Sequence, residues 1–370
     1  MGATVIDVLR RFLPHYLATR PALHEAQRRA VWAIEHCRTP AMGGHLYTCG
    51  DCKEQQFAYH SCNHRNCPQC GRAATAEWVA RELGKQIATP YFMVTFTLPE
   101  ELRGLFCREG AKRAFDHFFA ASSRSLRDTL ASPRWLGAET CGFTGVLHTW
   151  NQRLHTHPHI HYTVPGGGLD PGGDFVQVKS DKFLVPVPVV SKAFRRHFRD
   201  RVEKEEWEVD PAVWGKDWGV HIQPFGDGNN AIKYLGAYVS RSVIGDSRIV
   251  AIRGDRVTFR WKDRSANGAI RNETVAGTEF VRRYLRHVLP RGLRSIRYFG
   301  FCHPAAKAKR ERIAFHSGKT LRIGEPSAPL PDLEKPALRT PSCPCCERPM
   351  RRGPRLPPLR RPRPPPTTGT

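Results

Sequence analysis

Hydrophobic residues along the chain follow two spacings, and the switch between them divides the sequence. The opening stretch "MGATVIDVLRRFLPHYLATRP" repeats apolar residues every three to four positions with charges between them, which predicts an amphipathic helix rather than a cleaved leader. A second helical pattern runs through "RAATAEWVARELGKQI", with Trp78, Val79 and Leu83 on one face. From residue 91 the pattern is that of buried strands, in "YFMVTFTLP" (91–99), "GFTGVLHTW" (142–150), "HIHYTVP" (159–165) and "VHIQPFG" (220–226). The helical stretches "REGAKRAFDHFFAASSRSLRDTL" and "SKAFRRHFRDRVEKEEW" lie between them. A further helix is expected over 230–242, where Asn229 and Asn230 suit an N-cap. The order β-α-β-β-α-β-α predicts an α+β fold, an antiparallel ferredoxin- or RRM-like sheet covered by helices on one face.

Further on, "RIVAIRGDRVTFRWKD" reads as a hairpin turning at Gly254 and Asp255, and "TEFVRRYLRHVLPRG" as a basic helix stopped by Pro290 and Gly292. Beyond about 325 the chain becomes rich in Pro and Arg, too poor in apolar residues to offset the entropy of ordering. These shifts suggest four parts: a helix with a cysteine-rich module (1–85), the sheet-bearing unit (86–245), a basic extension of it (246–325) and a disordered tail (326–370).

Charge narrows the class of partner. The chain has 370 residues, a net charge of +24 and no membrane-length apolar run, so a polyanion such as nucleic acid is the natural partner and a membrane is not. Residues 282–370 supply much of the excess, with 21 Lys/Arg against 5 Asp/Glu. Six of the 12 cysteines fall between residues 37 and 70. In a chain of this length without a secretory signal, their CxxC spacing reads as metal binding in a reducing cytoplasm. Cys49-x-x-Cys52 and Cys67-x-x-Cys70 are two knuckles that together could make one four-thiolate zinc ribbon. Cys37, His45, Cys62 and one of His60 or His64 could complete a second zinc site, although Cys37 and Cys62 would serve equally as small buried apolar residues. Arg38, Lys53, Arg65 and Arg72 in this module could meet phosphates.

The segment "LHTHPHIHYTVPGGG" raises a different chemistry. His159 and His161 alternate along a strand and share a face, and Gln152 on the preceding strand could come alongside His159. Two imidazoles and an amide make an incomplete shell, suited to Mg2+ or Mn2+ that must also hold phosphate oxygens. His148, His155 and His157 read as ordinary core or surface residues. In "NNAIKYLGAYVSRSV", Tyr234 and Tyr238 are four apart in the expected helix, so both phenols project from one side. Such a pair is ordinarily packing, but beside an open metal site it has the parts that phosphoryl transfer to tyrosine needs, with Lys233 or Arg241 to stabilise developing charge. No P-loop is present.

The stretches "CRTPAMGGH", "SCNHRNCPQCG", "HTWNQRLHTHPHIHYTVPGGG", "YLGAYVSRS", "FVRRYLRHVLPRGLRSIRYFGF" and "CPCC" together resemble the rolling-circle transposases of the IS91 family, a two-tyrosine branch of the HUH (His-hydrophobe-His) single-strand endonucleases. The resemblance runs from about residue 30 to about 350 with motif order kept. It implies an HUH nuclease core preceded by a small zinc-binding domain that helps to recognise element ends. It further implies an ion held by His159 and His161 with Gln152 in the third place, and Tyr234 and Tyr238 as paired nucleophiles. The implied activity is nicking and strand transfer of single-stranded DNA in the bacterial cytoplasm, near the nucleoid, with a homo-oligomer compatible. A plasmid replication initiator or relaxase of the same superfamily, or a non-catalytic zinc-ribbon regulator, is the alternative reading. "SCPCCERPM" is similar to the family's Cys-Pro-x-Cys ending, and no partner pair for it is evident in the sequence.

Overall fold

The computed structural model describes residues 2–19, 22–70, 73–108, 110–227, 232–233, 235–236, 243–263, 265–318 and 340–359. Two helices, α1 (Val5–Thr19) and α2 (Glu25–His36), lead into the hairpin β1 (Gly44–Cys49) and β2 (Gln55–Tyr59), and then α3 (Ala73–Leu83). The α2 start is fixed by a reciprocal cap in which the Gln27 amide N–H donates to His24 and the Gln27 side chain accepts from the His24 N–H. The central sheet follows: β3 (Tyr91–Thr97), α4 (Ala111–Ala131), β4 (Gly142–Trp150), β5 (Thr156–Pro165), a small hairpin of β6 (Gly167–Leu169) and β7 (Phe175–Gln177), α5 (Val187–Lys204) and β8 (Gly219–Pro224). Next come β9 (Ile249–Arg253), β10 (Arg256–Asp263), β11 (Ala269–Ala276), α6 (Gly277–Leu285), β12 (Ile296–Gly300), α7 (Lys307–His316) and β13 (Met350–Leu356).

The five-stranded sheet is ordered β12-β4-β5-β3-β8, and each adjacent pair is antiparallel. Without β12, the order β8-β3-β5-β4 is the ferredoxin-like arrangement of a β-α-β-β-α-β chain. Period-two alternation assigns the faces. Phe92, Val94, Phe96, Phe143, Leu147, Ile160, Tyr162 and Val164 point to α4 and α5, where Phe118, Phe119, Phe194 and Phe198 complete an aromatic core. Gly145 is required there, because a Cβ would lie 2.4 Å from the Tyr162 ring. The sequence reading put helices on one face only, whereas the structure has a helix on the other face as well. Trp78 of α3 packs with Met93, Val146, Ile232 and Leu235 on the opposite face.

The four-part division also changes. Val5, Leu9, Phe12 and Leu13 of α1 share a core with Val257, Phe259, Phe280 and Tyr284, so the first helices and the 246–285 region bury one apolar surface rather than two. Close approach of α1 to α6 depends on Gly277, where a Cβ would meet Phe12 Cγ at 2.2 Å. The expected disordered tail contains an ordered part. Residues 340–359 return to the amino-terminal module, where β13 pairs antiparallel with β1 in a sheet ordered β13-β1-β2.

Candidate functional site

Three imidazoles gather on the face of the sheet away from α4 and α5. His159 and His161 alternate along β5, and the register places His148 of β4 directly opposite His159, with Val146 opposite His161. Ring centroids are 5.0 Å apart for His148 and His159, 4.8 Å for His148 and His161, and 4.9 Å for His159 and His161. One nitrogen from each ring lies within 4.8 Å of the others, close enough for a single ion.

Here the expectation for Gln152 fails for a reason of register. β4 ends at Trp150, which pairs with Thr156, so Gln152 falls in the turn, exposed, with its carbonyl accepting from Arg248. The place across from His159 belongs to His148, which sequence reasoning set aside as an ordinary core or surface residue. The available signal was period two: His148 has the same parity as Val146 and Trp150, and a short turn brings it level with His159.

Hydrogen bonds orient these rings. His159 Nδ1 lies 2.7 Å from the His157 carbonyl oxygen, which only accepts, so in the neutral ring the proton is on Nδ1 and Nε2 carries the lone pair. His161 Nδ1 is 2.9 Å from Thr95 Oγ1 on β3, a hydrogen bond that orients the ring. His221 of β8 is opposite Thr95, which adds an exposed imidazole to this face. Behind the turn, the buried His287 bridges Thr149 Oγ1 (Nδ1, 3.1 Å) and the Leu154 carbonyl (Nε2, 3.0 Å). Burial holds the His287 pKa down, to about 4. The turn is tied further by Glu273, which accepts from Arg153 and Arg283 at 2.8 Å each.

Tyr234, Tyr238, Arg241 and Arg72 lie outside the described residues. The helical residues flanking Tyr234 are described: Lys233 is exposed, and Ile232 and Leu235 are buried in the cluster that contains Val146. Since Val146 is the cross-strand partner of His161, Ile232 and Leu235 pack on the histidine face. Arg65 is exposed and donates to Ser295 Oγ at 2.8 Å.

The cysteines form two quartets, differently partitioned from the expectation. Cys67 and Cys70 gather with Cys37 and Cys62, whereas Cys49 and Cys52 gather with Cys343 and Cys346 from the far end of the chain. The single ribbon of Cys49, Cys52, Cys67 and Cys70 is therefore not assembled, because β1 and β2 carry the first knuckle to β13 and away from the second. His45 and His64 belong to neither quartet. His45 instead contacts the Arg352 side chain, and His64 Nδ1 accepts from the Asn66 N–H at 3.2 Å.

A tetrahedral zinc with metal–sulfur arms of about 2.3 Å has sulfur–sulfur edges of about 3.8 Å. The observed separations fit: 3.5 Å for Cys62 and Cys70, 3.5 Å for Cys49 and Cys346, 3.4 Å for Cys52 and Cys343 and 3.8 Å for Cys52 and Cys346. Thiols this close ionise unequally. A hydrogen bond with Cys67 holds Cys62 down, to about 5, and the same bond pushes Cys67 up. Backbone N–H groups of Cys52 and Asp51 hold Cys49 at about 6. A dication removes the conflict by letting all four sulfurs ionise.

Comparison with known proteins agrees with this layout. A family model described as "Putative transposase" matches residues 142–311, and one described as "Transposase zinc-binding domain" matches residues 8–98. "Putative transposase y4qJ" of Sinorhizobium fredii is 38% identical over 321 residues, covering 81% of this chain and 80% of that protein. The transposase for insertion sequence element IS801 of Pseudomonas savastanoi pv. phaseolicola is 27% identical over 311 residues, covering 77% of this chain and 72% of that one. No solved structure is a significant match. No helix among the described residues is long and apolar enough to cross a membrane. The first match spans β4 to α7 and so contains the histidine hairpin, the second contains the quartet of Cys37, Cys62, Cys67 and Cys70, and the chain belongs to the IS91 family of transposases.

Proposed function

We propose that the chain is a metal-dependent, site-specific endonuclease and strand transferase acting on single-stranded DNA, with Tyr234 and Tyr238 as paired nucleophiles. The observation that carries this reading is the convergence of His148, His159 and His161 on the sheet face where Ile232 and Leu235, either side of Tyr234 in sequence, are buried. Three imidazoles leave an ion's remaining positions open, as a site that must take up phosphate oxygens requires. His148 takes the third-ligand role first expected of Gln152. When bound, Mg2+ or Mn2+ would draw charge from the scissile phosphate.

In the proposed reaction, a phenol oxygen of one tyrosine bonds to phosphorus and the P–O3′ bond breaks. The product is a 5′-phosphotyrosine, and the leaving oxygen gains a proton to become a 3′-hydroxyl. The second tyrosine repeats this at the target or the other element end, and each freed 3′-hydroxyl then attacks a phosphotyrosine, restoring a phosphodiester and a phenol. Bond energy is conserved in the protein link, so rejoining needs no nucleotide triphosphate. Lys233 and Arg241 are proposed to stabilise the developing charge, and Arg65 and Arg72 to meet the DNA backbone. The enzyme is proposed to work in the cytoplasm, at the nucleoid.

The test is incubation with a labelled single-stranded oligonucleotide carrying an element end, with Mg2+ or Mn2+. A protein–DNA adduct that survives denaturation is expected, and it should disappear in the Tyr234→Phe, Tyr238→Phe double variant and with His159→Ala. Adduct formation undiminished in the double variant removes the assignment of the tyrosines. Binding with no adduct under any metal favours a non-catalytic zinc-ribbon regulator.

A further inference from the structure

We propose that Cys49, Cys52, Cys343 and Cys346 hold a second zinc ion, which clamps the carboxyl-terminal strand into the amino-terminal domain. The matched zinc-binding region, residues 8–98, contains only half of this donor set. The other half comes from a segment whose composition suggested disorder.

Sulfur proximity is the first argument, and the backbone supplies an independent second one. The two CxxC turns are built alike. The Cys49 N–H donates to the Glu54 carbonyl at 2.8 Å, and the Cys343 N–H donates to the Arg348 carbonyl at the same offset and the same 2.8 Å. Immediately after the second cysteine of each turn, Lys53 and Glu347 occupy the left-handed region, with φ 64° and φ 62°. A non-glycine residue there is uncommon and costs energy, and finding it at the matching place in both turns shows a common knuckle geometry. In each case the turn directs two sulfurs to the same side, and the two turns face each other. Asp51 and Arg348 form an ion pair across them at 3.0 Å.

The packing around these sulfurs is too slight to order the segment by itself. Its apolar cluster consists of Tyr47, Cys49, Cys343 and Met350 with Ala58 and Cys346 at its border. Modules with cores this small depend on metal coordination for folding. Thiolate-only, four-coordinate donor sets of two knuckles favour zinc and serve structure, since no position is left for a substrate. The clamp closes a ring through most of the chain, from Cys49 to Cys346, with the catalytic sheet inside it. The amino-terminal domain is thus completed only after the carboxyl-terminal knuckle has been synthesised.

Full-length protein purified without chelator is expected to contain two zinc ions per chain by atomic emission. The Cys343→Ser, Cys346→Ser double variant should contain one, as should Cys37→Ser, Cys62→Ser. After substitution with Co2+, the thiolate charge-transfer absorbance per chain should fall about twofold in either double variant. A second arm keeps every cysteine: a protease site placed between residues 319 and 339 is cut, and the fragment from 340 onward should co-elute with the rest of the chain until chelator is added. One zinc in the wild type, two in the Cys343→Ser, Cys346→Ser variant, or a fragment that leaves before chelation would each overturn the proposal.

Discussion

His287 offers a quantitative link between burial, pH and the histidine hairpin. Its ring is fully engaged: Nε2 donates to the Leu154 carbonyl, so in the neutral form Nδ1 accepts from the Thr149 hydroxyl. Leu154 is in the left-handed region, φ 63°, within the turn that joins β4 to β5, so His287 pins a strained turn from behind. Protonation would turn Nδ1 into a donor and place a charge in the interior. Burial is the main reason that the folded pKa falls to about 4, and the positive charge of Arg286 adds to it.

In the unfolded chain the same ring has a pKa of about 6.5, so between pH 4 and 6.5 the unfolded state binds more protons than the folded one. Stability therefore rises with pH across that window and is complete above it. The linkage integral from pH 8 to pH 5 is about 2 kcal/mol of lost stability from this one residue. His287→Gln retains an amide for the Leu154 carbonyl and removes the titration. Urea unfolding followed by tryptophan fluorescence at several pH values, in wild type and variant, isolates the contribution, because other titrating groups cancel in the difference. The variant should be less stable at pH 8 by about 1–2 kcal/mol, the scale of one or two weakened buried hydrogen bonds. That gap should close or reverse by pH 5. Stability curves that stay parallel from pH 8 to pH 5 would refute the reasoning.

Two further outcomes follow from particular contacts. Thr95→Val removes the hydroxyl that meets His161 Nδ1 at 2.9 Å while keeping the side-chain volume, and calorimetric titration with Mn2+ should show affinity lower by about 10–100-fold with an unchanged unfolding midpoint. Gly277→Ala places a Cβ against the Phe12 ring, 2.2 Å from Cγ, and should cost about 1–3 kcal/mol in urea unfolding, where a change under a few tenths would show that α1 yields freely.

The parts of this molecule legible in its sequence are those governed by local periodicity. β3, β4, β5 and β8 lie where alternating apolar runs predicted them, and the hairpin of β9 and β10 turns at Gly254 and Asp255. Those runs also assign parity, so His159 and His161 could be placed on one face before any geometry was known. Pairing register is not local. It depends on where β4 stops, and a stop at Trp150 rather than two residues later exchanges Gln152 for His148. The cysteines show the same limit at longer range. Both knuckles near the amino terminus were visible as CxxC, and proximity in sequence favoured joining them. Yet β1 and β2 form a hairpin whose β1 edge pairs with β13, which brings the first knuckle to the carboxyl-terminal one, and the partner is 291 positions away for Cys52 and Cys343.

Composition misled for a related reason. Residues 340–359 are poor in apolar side chains, and an argument from hydrophobic burial alone assigns them no fold. Their order comes from backbone pairing with β1, a knuckle of fixed shape and four facing sulfurs, none of which registers as hydrophobicity. A Pro/Arg-rich segment that contains CxxC is therefore better judged by whether an unmatched CxxC exists elsewhere in the chain. Here Cys49 and Cys52 were that unmatched pair, once Cys67 and Cys70 were taken by Cys37 and Cys62.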